Sequence, residues 1–342
     1  MKKNYFFQIL FLLVLPALFV QCGDDDSNDD QTHEQDQTNV YVVGTESDGN
    51  HNLAVKLWKN GVGTNITDHT LNWSKKAVSV FVSGSDVYIL YVENGIKLWE
   101  NGVITELYDA ENFTDATSMY VSGSDVYITG YKFDPNNSLS SARLWVNGTL
   151  INLSDGMYTS QANSVFVFGS DVYVAGNAWE IGSSPTAKIW KNGIGTKLTG
   201  EEDMSNAMSV FVKDNDVYVA GIDIKAAGEN YPTIWKNGVA SHLTTNATMA
   251  IANSVFVSGS DVYVAGHYGN SAKVWKNGIA TDLSDGTELA EARSVFVSGS
   301  DVYVAGNIFK QGILWKNGVP TNLLYEGAEG AIAYAVFVTS NQ

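Results

Sequence analysis

The sequence is poor in cysteine, histidine and basic residues. Its 342 residues include one cysteine, so no internal disulfide can form. The five histidines are dispersed without metal-ligand spacing, at His33, His51, His69, His242 and His267. Lysine and arginine total 20 against 37 acidic residues, which gives a net charge of −17. Because nucleic-acid binding depends on basic residues that meet phosphates, we do not expect it here.

Catalytic sequence motifs are also missing. The chain has no GxSxG nucleophile motif, no phosphate-binding P-loop and no nucleotide-binding glycine fingerprint. Acidic residues in predicted loops remain as candidates for a general acid and base or for calcium ligands: Asp155, Glu201, Glu202, Asp203, Asp285 and Glu288. Charged side chains are mostly exposed and solvated, so we predict no cofactor, no metal site and no catalysis. A polysaccharide-acting hydrolase or lyase is the alternative.

The N-terminus has the composition of an export signal. Lys2 and Lys3 precede an apolar run over 5–20, which is too short and too poorly flanked to span a membrane, and Cys22 follows. We predict a signal peptide over 1–21 that resembles a lipoprotein signal, with Cys22 as the lipidated residue. An ordinary cleaved signal with an incidental cysteine is the alternative. This assignment predicts a lipid anchor in a bacterial outer membrane, with the protein facing the surface or the periplasm.

Residues 22–38 are predicted to be the lipidated cysteine followed by a disordered tether. The segment 23–38 holds seven acidic groups, no lysine or arginine and no aliphatic side chain. Such a segment buries too little apolar surface to offset its chain entropy. Acidic residues directly after the cysteine also resemble the export signal of certain Gram-negative surface lipoproteins. A soluble spacer without a sorting role is the other interpretation.

Residues 39–342 form a tandem array that is marked by Trp-Lys-Asn-Gly or a near variant. The marker tryptophans lie 40 to 46 residues apart, at Trp58, Trp99, Trp145, Trp190, Trp235, Trp275 and Trp315. This period suits a four-stranded propeller blade. The repeats are rich in Val, Tyr, Phe, Thr, Gly and Asn rather than helix formers, which excludes helical repeats. We predict an all-β fold, a seven-bladed β-propeller of four-stranded antiparallel blades.

One unit illustrates the four predicted strands, A to D. Strand A is 254–257, strand B is 262–265, strand C surrounds Trp275, and strand D runs from about 279 to 283. The sequence SGSD between A and B and the Asn-Gly between C and D are typical of two-residue hairpins. The first unit begins at strand B and lacks strand A, whereas the chain ends on a strand A over 335–338. We predict that this last strand completes the first blade and closes the ring.

The pattern Ala252-Asn253-Ser254-Val255-Phe256-Val257, a turn, and Val262-Tyr263-Val264-Ala265-Gly266 resembles the first half of a kelch repeat. Kelch units usually carry a double glycine after strand B and a tryptophan on strand D. Here the tryptophan lies on strand C, and a single glycine remains at Gly130, Gly176, Gly221, Gly266 and Gly306. The resemblance covers most of 39–342 and implies the propeller fold without any particular activity.

A four-stranded meander places the A–B and C–D turns on one face of the ring, which we call the uniform face because these turns hardly vary. This face carries acidic residues at Asp86, Asp125, Asp171, Asp216, Asp261 and Asp301. Lysines lie beside them at Lys59, Lys191, Lys236, Lys276 and Lys316. These charges suit either a partner-binding ring or turn-stabilising pairs, and we favour the second interpretation.

The B–C and D–A connections lie on the other face, the variable face. The B–C segments differ in length, from 131–141 to 267–271, and variable loops on a rigid scaffold favour recognition. The candidate ligand-binding residues are Trp73, Tyr131, Phe133, Trp179, Tyr231, His267, Tyr268 and Phe309. Exposed aromatic side chains suit stacking on sugars or anchoring in a protein. The alternative is that each ring folds over its own blade.

From these features we predict a monomeric, lipid-anchored, non-catalytic recognition module that binds a glycan or protein at the cell envelope. The lipid anchor would be its only membrane contact, and nucleic acid would not be a partner. A structural or adhesive envelope protein is a further alternative, which apolar patches on the outer strands would favour.

Overall fold

The computed structural model describes residues 38–72, 75–109, 114–179, 184–200, 204–225, 228–245 and 249–340. All of these residues fall within a single unit, 37–342. The predicted signal peptide, Cys22, the tether as far as residue 37 and Trp73 lie outside the described residues. Across the described ranges, no helix has the length and apolar character needed to cross a membrane.

The described residues form 28 strands in seven four-stranded antiparallel sheets, so the chain is a seven-bladed β-propeller as predicted. Blade 1 contains β28 (Ala328–Ser340), β1 (Thr38–Asp48), β2 (Leu53–Lys59) and β3 (Val62–Asn65). Blade 2 contains β4 (Lys76–Ser83), β5 (Asp86–Val92), β6 (Gly95–Glu100) and β7 (Val103–Asp109). Blade 3 contains β8 (Thr114–Ser122), β9 (Asp125–Asp134), β10 (Leu139–Val146) and β11 (Thr149–Asn152).

The remaining four blades repeat the same A-to-D order. Blade 4 contains β12 (Thr159–Phe168), β13 (Asp171–Trp179), β14 (Thr186–Lys191) and β15 (Ile194–Lys197). Blade 5 contains β16 (Met204–Lys213), β17 (Asp216–Ile224), β18 (Asn230–Lys236) and β19 (Val239–His242). Blade 6 contains β20 (Ala250–Ser258), β21 (Asp261–Tyr268), β22 (Ser271–Lys276) and β23 (Ile279–Asp282). Blade 7 contains β24 (Ala290–Ser298), β25 (Asp301–Ile308), β26 (Gln311–Lys316) and β27 (Val319–Asn322).

The ring closes through the last strand, as predicted. Strand β28 pairs antiparallel with β1 along its length, from Thr38 opposite Ser340 to Asp48 opposite Ala328. The C-terminal strand therefore supplies strand A of blade 1. Because β28 and β1 pair within one sheet, the N-terminal strand β1 is not left with an open edge and the ring is closed.

The hairpin turns have the conformations that their residues predict. In the A–B turn of blade 6, Gly259 has a φ of 57°. In blade 5 the same turn uses Asp214 and Asn215, with φ of 51° and 69°. The C–D turn of blade 6 places Asn277 at 50° and Gly278 at 81°. Positive φ at these positions is what two-residue primed turns require.

The turn asparagine also joins the two turns of each blade on the uniform face. In blade 6, Asn277 Oδ1 accepts from the Val262 N–H at 2.8 Å, and its Nδ2 donates to Asp261 Oδ1 at 2.8 Å. Lys276 Nζ lies 2.8 Å from the other carboxylate oxygen. The bond from Lys276, followed by that from Asn277, lowers the pKa of Asp261. These contacts agree with the turn-stabilising interpretation of the charges, and we call the arrangement the turn clasp.

The turn clasp recurs around the ring. The backbone-to-asparagine bond is present in all seven blades, at Asn60, Asn101, Asn147, Asn192, Asn237, Asn277 and Asn317. The lysine–aspartate pair accompanies it in blades 4 to 7.

The repeated tryptophans fill the contacts between blades. Trp275 has no exposed surface and belongs to a buried cluster with Tyr218, Ala220 and Ile234 of the preceding blade. In blade 7, the Trp315 indole N–H donates to the Leu283 carbonyl of blade 6 at 2.8 Å. Each tryptophan thus acts as a wedge that packs against the neighbouring blade and stabilises the contact between blades. This shared packing role accounts for the near-identity of the repeated motif.

Candidate functional site

Strand A of every blade contains a β-bulge near the variable face. In blade 6, Ala252 pairs with Gly266 and Ser254 pairs with Ala265, which leaves Asn253 between them without a partner. The same register shift occurs in each of the other blades. A bulge bends its strand and re-aims the unpaired side chain, and bulges are common beside active sites.

The seven unpaired residues face one central cavity of about 300 Å³, the axial cavity. We call these residues the bulge ring: Val78, Thr117, Asn163, Met208, Asn253, Arg293 and Tyr334. Six different residue types are thus presented at one structural position around the axis. The bulge ring gives an otherwise repetitive propeller an asymmetric site in which five of the seven side chains carry polar groups.

In six blades, a single glycine on strand B allows a close backbone approach beside the bulge. A Cβ at Gly266 would lie 2.0 Å from the Ile251 carbonyl oxygen on strand A. The corresponding distance is 1.9–2.2 Å at Gly44, Gly130, Gly176, Gly221 and Gly306. Blade 2 departs from the pattern, with Tyr91 paired to Ala77. The five glycines noted in the kelch resemblance, together with Gly44, therefore permit the close approach of two backbones in six blades.

Hydrogen bonds to the next blade hold the bulge-ring side chains in place. Asn253 Nδ2 donates to the Ala292 carbonyl at 2.9 Å. Asn163 Nδ2 donates to the Ala207 carbonyl at 2.8 Å and to Asn206 Oδ1 at 2.9 Å. With their amide nitrogens used in this way, the two asparagines offer their Oδ1 atoms as acceptors.

The cationic part of the axial cavity lies in blade 7 beside the seam. The Arg293 guanidinium pairs with Glu291, and its Nε donates to Asn307 Oδ1 at 3.1 Å. It also lies over the Tyr334 ring, 5.3 Å from the centroid. Burial raises the pKa of Tyr334, so its hydroxyl stays neutral at physiological pH and can donate a hydrogen bond.

Seven aromatic side chains form a closed circle one layer nearer the uniform face. Adjacent ring centroids are 4.6–4.9 Å apart with tilted planes. The members of this aromatic circle are Phe81, Tyr120, Phe166, Phe211, Phe256, Phe296 and Phe337. Each tilted pair is worth about 0.5–1.5 kcal/mol beyond area burial. The circle fixes the spacing of the A strands on which the bulge ring depends.

The predicted aromatic residues of blades 3 and 4 lie on strand B. Tyr131 and Phe133 are in β9, and Trp179 ends β13; all three are half-buried. The Tyr131 hydroxyl donates to Asp115 Oδ2 at 3.2 Å. Burial, reinforced by Asp115, raises the pKa of Tyr131 to about 12. Tyr131 thus contacts its own blade, which agrees with the alternative that each ring folds over its own blade.

The predicted tyrosines of blades 5 and 6, Tyr231 and Tyr268, also contact their own blades. Tyr231 donates to Glu229 Oε2 at 2.5 Å, and its ring centroid is 4.7 Å from that of His242. Tyr268 is exposed, with Lys273 Nζ 5.7 Å from its ring centroid. Burial lowers the pKa of His267 on β21. None of the described contacts brings these side chains together into one platform. Their role in binding stays a prediction.

Two of the acidic loop residues, Asp155 and Asp285, accept hydrogen bonds within their own loops. Asp155 Oδ1 accepts from the Met157 N–H at 3.0 Å, and Asp285 Oδ1 accepts from the Thr287 N–H at 3.0 Å. Residues 201–203 lie outside the described residues. Within the described ranges, no three His, Cys, Asp or Glu side chains converge as a metal site would require.

Sequence reasoning missed the bulge ring, although a signal was present. Strand A reads Ala-x-Ser-Val-Phe-Val with few changes in all seven units, and only the x position varies freely. A single variable column inside a uniform strand indicates a side chain that does not serve the scaffold. The prediction instead followed the more obvious variation in loop length.

No protein-family model matches the sequence, and no curated protein is detectably similar to it. Among solved structures, an acylaminoacyl peptidase bound to a chloromethyl ketone is similar with a TM-score of 0.52 at 12% identity, covering 84% of this chain and 51% of the peptidase. The Pyrococcus horikoshii acylaminoacyl peptidase gives 0.51 at 12% identity, with 85% and 51% covered. This chain therefore spans about half of each peptidase.

A computationally designed protein, Ika8, gives a TM-score of 0.47 at 18% identity, with 88% of this chain and 89% of Ika8 covered. At these identities, the similarities to the two peptidases show the fold alone.

Proposed function

We propose that this chain is a non-catalytic recognition module that binds a glycan or protein partner at the variable face. The observation that carries the proposal is the bulge ring, because seven unpaired side chains converge on one cavity while the rest of strand A is nearly invariant. Pockets lined by a few convergent polar groups on a rigid scaffold are the usual form of a ligand site. The kelch-like pattern of strands A and B supports a scaffold role for everything except this position.

The cellular setting belongs to the same proposal. A lipoprotein signal over 1–21, lipidation at Cys22 and an acidic tether would hold a monomeric propeller at a bacterial outer membrane, facing the surface or the periplasm. The charge of −17 and the pairing of basic residues with acidic ones support a partner other than nucleic acid.

A glycan array and a protein array probed with the purified chain test the proposal, with release of reducing ends assayed alongside. Met208→Trp fills the axial cavity, whereas Ser260→Trp places the same bulk in an exposed A–B turn on the uniform face. Binding that survives Ser260→Trp and is lost in Met208→Trp supports the proposal. Equal binding by both variants places the site elsewhere, and new reducing ends establish the hydrolase or lyase alternative.

A further inference from the structure

A second cavity opens beside the axial cavity, where the last blade meets the first. It has a volume of about 440 Å³ and shares Lys76 and Tyr334 with the axial cavity. Its apolar lining includes Leu53, Phe309 and Ile332. We call it the seam pocket. Because the two cavities share residues, they offer a ligand one extended path across the variable face.

Phe309 on the rim of the seam pocket has a conformation that favours glycine. Its φ is 48°, and it occupies the first position of a two-residue B–C turn. In blade 6 the equivalent residue is Gly269, with φ of 57°. Both residues donate their N–H to the preceding D–A loop, Phe309 to Leu289 at 2.7 Å and Gly269 to Met249 at 2.6 Å. The turn therefore needs no side chain here, and a bulky residue at this φ is an outlier.

The Phe309 side chain also gains little from burial. It is 60% exposed. A strained backbone that carries an exposed aromatic ring beside a pocket is a feature of binding sites rather than of scaffolds. The ring presents its surface to whatever enters the seam pocket.

Lysines are concentrated in the lining of the seam pocket, within an acidic protein. Its lining contains three lysines, Lys75, Lys76 and Lys310, against one glutamate, Glu329. Lys75 Nζ forms an ion pair with Glu93 Oε1 at 2.8 Å. The other two lysines are more exposed and lie further from their carboxylate partners. Lys76 Nζ is 3.6 Å from Asp115, and Lys310 Nζ is 3.4 Å from Glu329. In a chain of net charge −17, this placement favours an anionic ligand group.

We infer that the seam pocket and the axial cavity together bind an acidic oligosaccharide, an inference that rests on the proposed function and specifies its ligand. A sugar ring stacks on Phe309, and its carboxylate lies near Lys76 and Lys310. Hydroxyl groups further along the chain donate to the Oδ1 atoms of Asn163 and Asn253. A hydroxyl-rich ligand suits this part of the cavity because Asn163 and Asn253 offer two Oδ1 acceptors on either side of Met208.

Calorimetric titration with trigalacturonate, with neutral maltotriose and hexaglutamate as comparison ligands, tests this inference. We expect trigalacturonate to bind the parent chain more tightly than either comparison ligand. Phe309→Gly copies the blade 6 turn and should weaken trigalacturonate binding about tenfold, while the melting temperature stays equal or rises. Lys310→Gln should weaken trigalacturonate binding and leave maltotriose unaffected.

Three results would overturn the inference: no binding of trigalacturonate, tighter binding of hexaglutamate or maltotriose, or unchanged affinity in Phe309→Gly. The arrays separate this failure from that of the proposed function. A neutral glycan or a protein that binds the parent and is excluded by Met208→Trp upholds the recognition site while refuting the acidic ligand.

Discussion

Replacing Trp275 by alanine should destabilise the propeller strongly, because this side chain is fully buried between blades 5 and 6. A tryptophan buries about 150–250 Å², which at about 25 cal/mol per Å² corresponds to about 4–6 kcal/mol of transfer free energy. Partial relaxation of the surrounding residues brings the expected cost to about 3–5 kcal/mol. The melting temperature should fall by about 5–15 °C.

Chemical denaturation and thermal melts followed by circular dichroism measure this change. Trp99→Ala is the matched control, since Trp99 holds the same repeat position in blade 2 but is only half-buried. It should lose less stability than Trp275→Ala. If the Trp275→Ala melt superimposes on that of the parent, or if Trp99→Ala is the more damaging change, the inter-blade wedge is wrong.

Three further changes test other parts of the fold. Deleting 334–342 removes most of the strand that pairs with β1, so we expect aggregation or unfolding in size-exclusion chromatography; a soluble, cooperatively melting truncation would contradict closure. Asn277→Gly keeps the positive φ but loses both turn-clasp bonds, so the free energy of unfolding measured by urea titration should fall by about 1 kcal/mol. An unchanged free energy of unfolding would show that the clasp does not contribute to stability. Burial lowers the pKa of His267, so the unfolded chain binds the proton more readily than the folded chain. The free energy of unfolding should therefore fall as pH drops below about 6.5, and this fall should be smaller in His267→Gln.

The architecture was predictable because each blade repeats the same local signals. Asn277-Gly278 specifies a hairpin by its own φ preference, and the 40- to 46-residue period sets the number of strands per blade. The incomplete first unit and the surplus strand at the end determined how the ring closes. Each of these features is either local or directly periodic, so one sequence was enough to read it.

The site was harder to predict because it depends on register. Asn253 faces the axial cavity only because a bulge leaves it unpaired, and beside that bulge the backbones of Ile251 and Gly266 from two strands approach closely. Periodicity alone does not show which residue of an apolar strand lacks a partner. Phe309 was predicted as an exposed aromatic residue, but its backbone strain and its place at the seam depend on tertiary structure.

The pairing of β1 with β28 has a kinetic consequence, since it joins segments about 300 residues apart in the chain. Closing a loop of that length costs about 3 kcal/mol more in chain entropy than closing a hairpin of about 10 residues. We therefore expect individual blades to form first and the seam to form last. The wall of the seam pocket, which includes Ile332 and Tyr334, forms only in that final step. Ligand that binds there would select the completed ring and slow its reopening, so occupancy would report that the chain has finished folding.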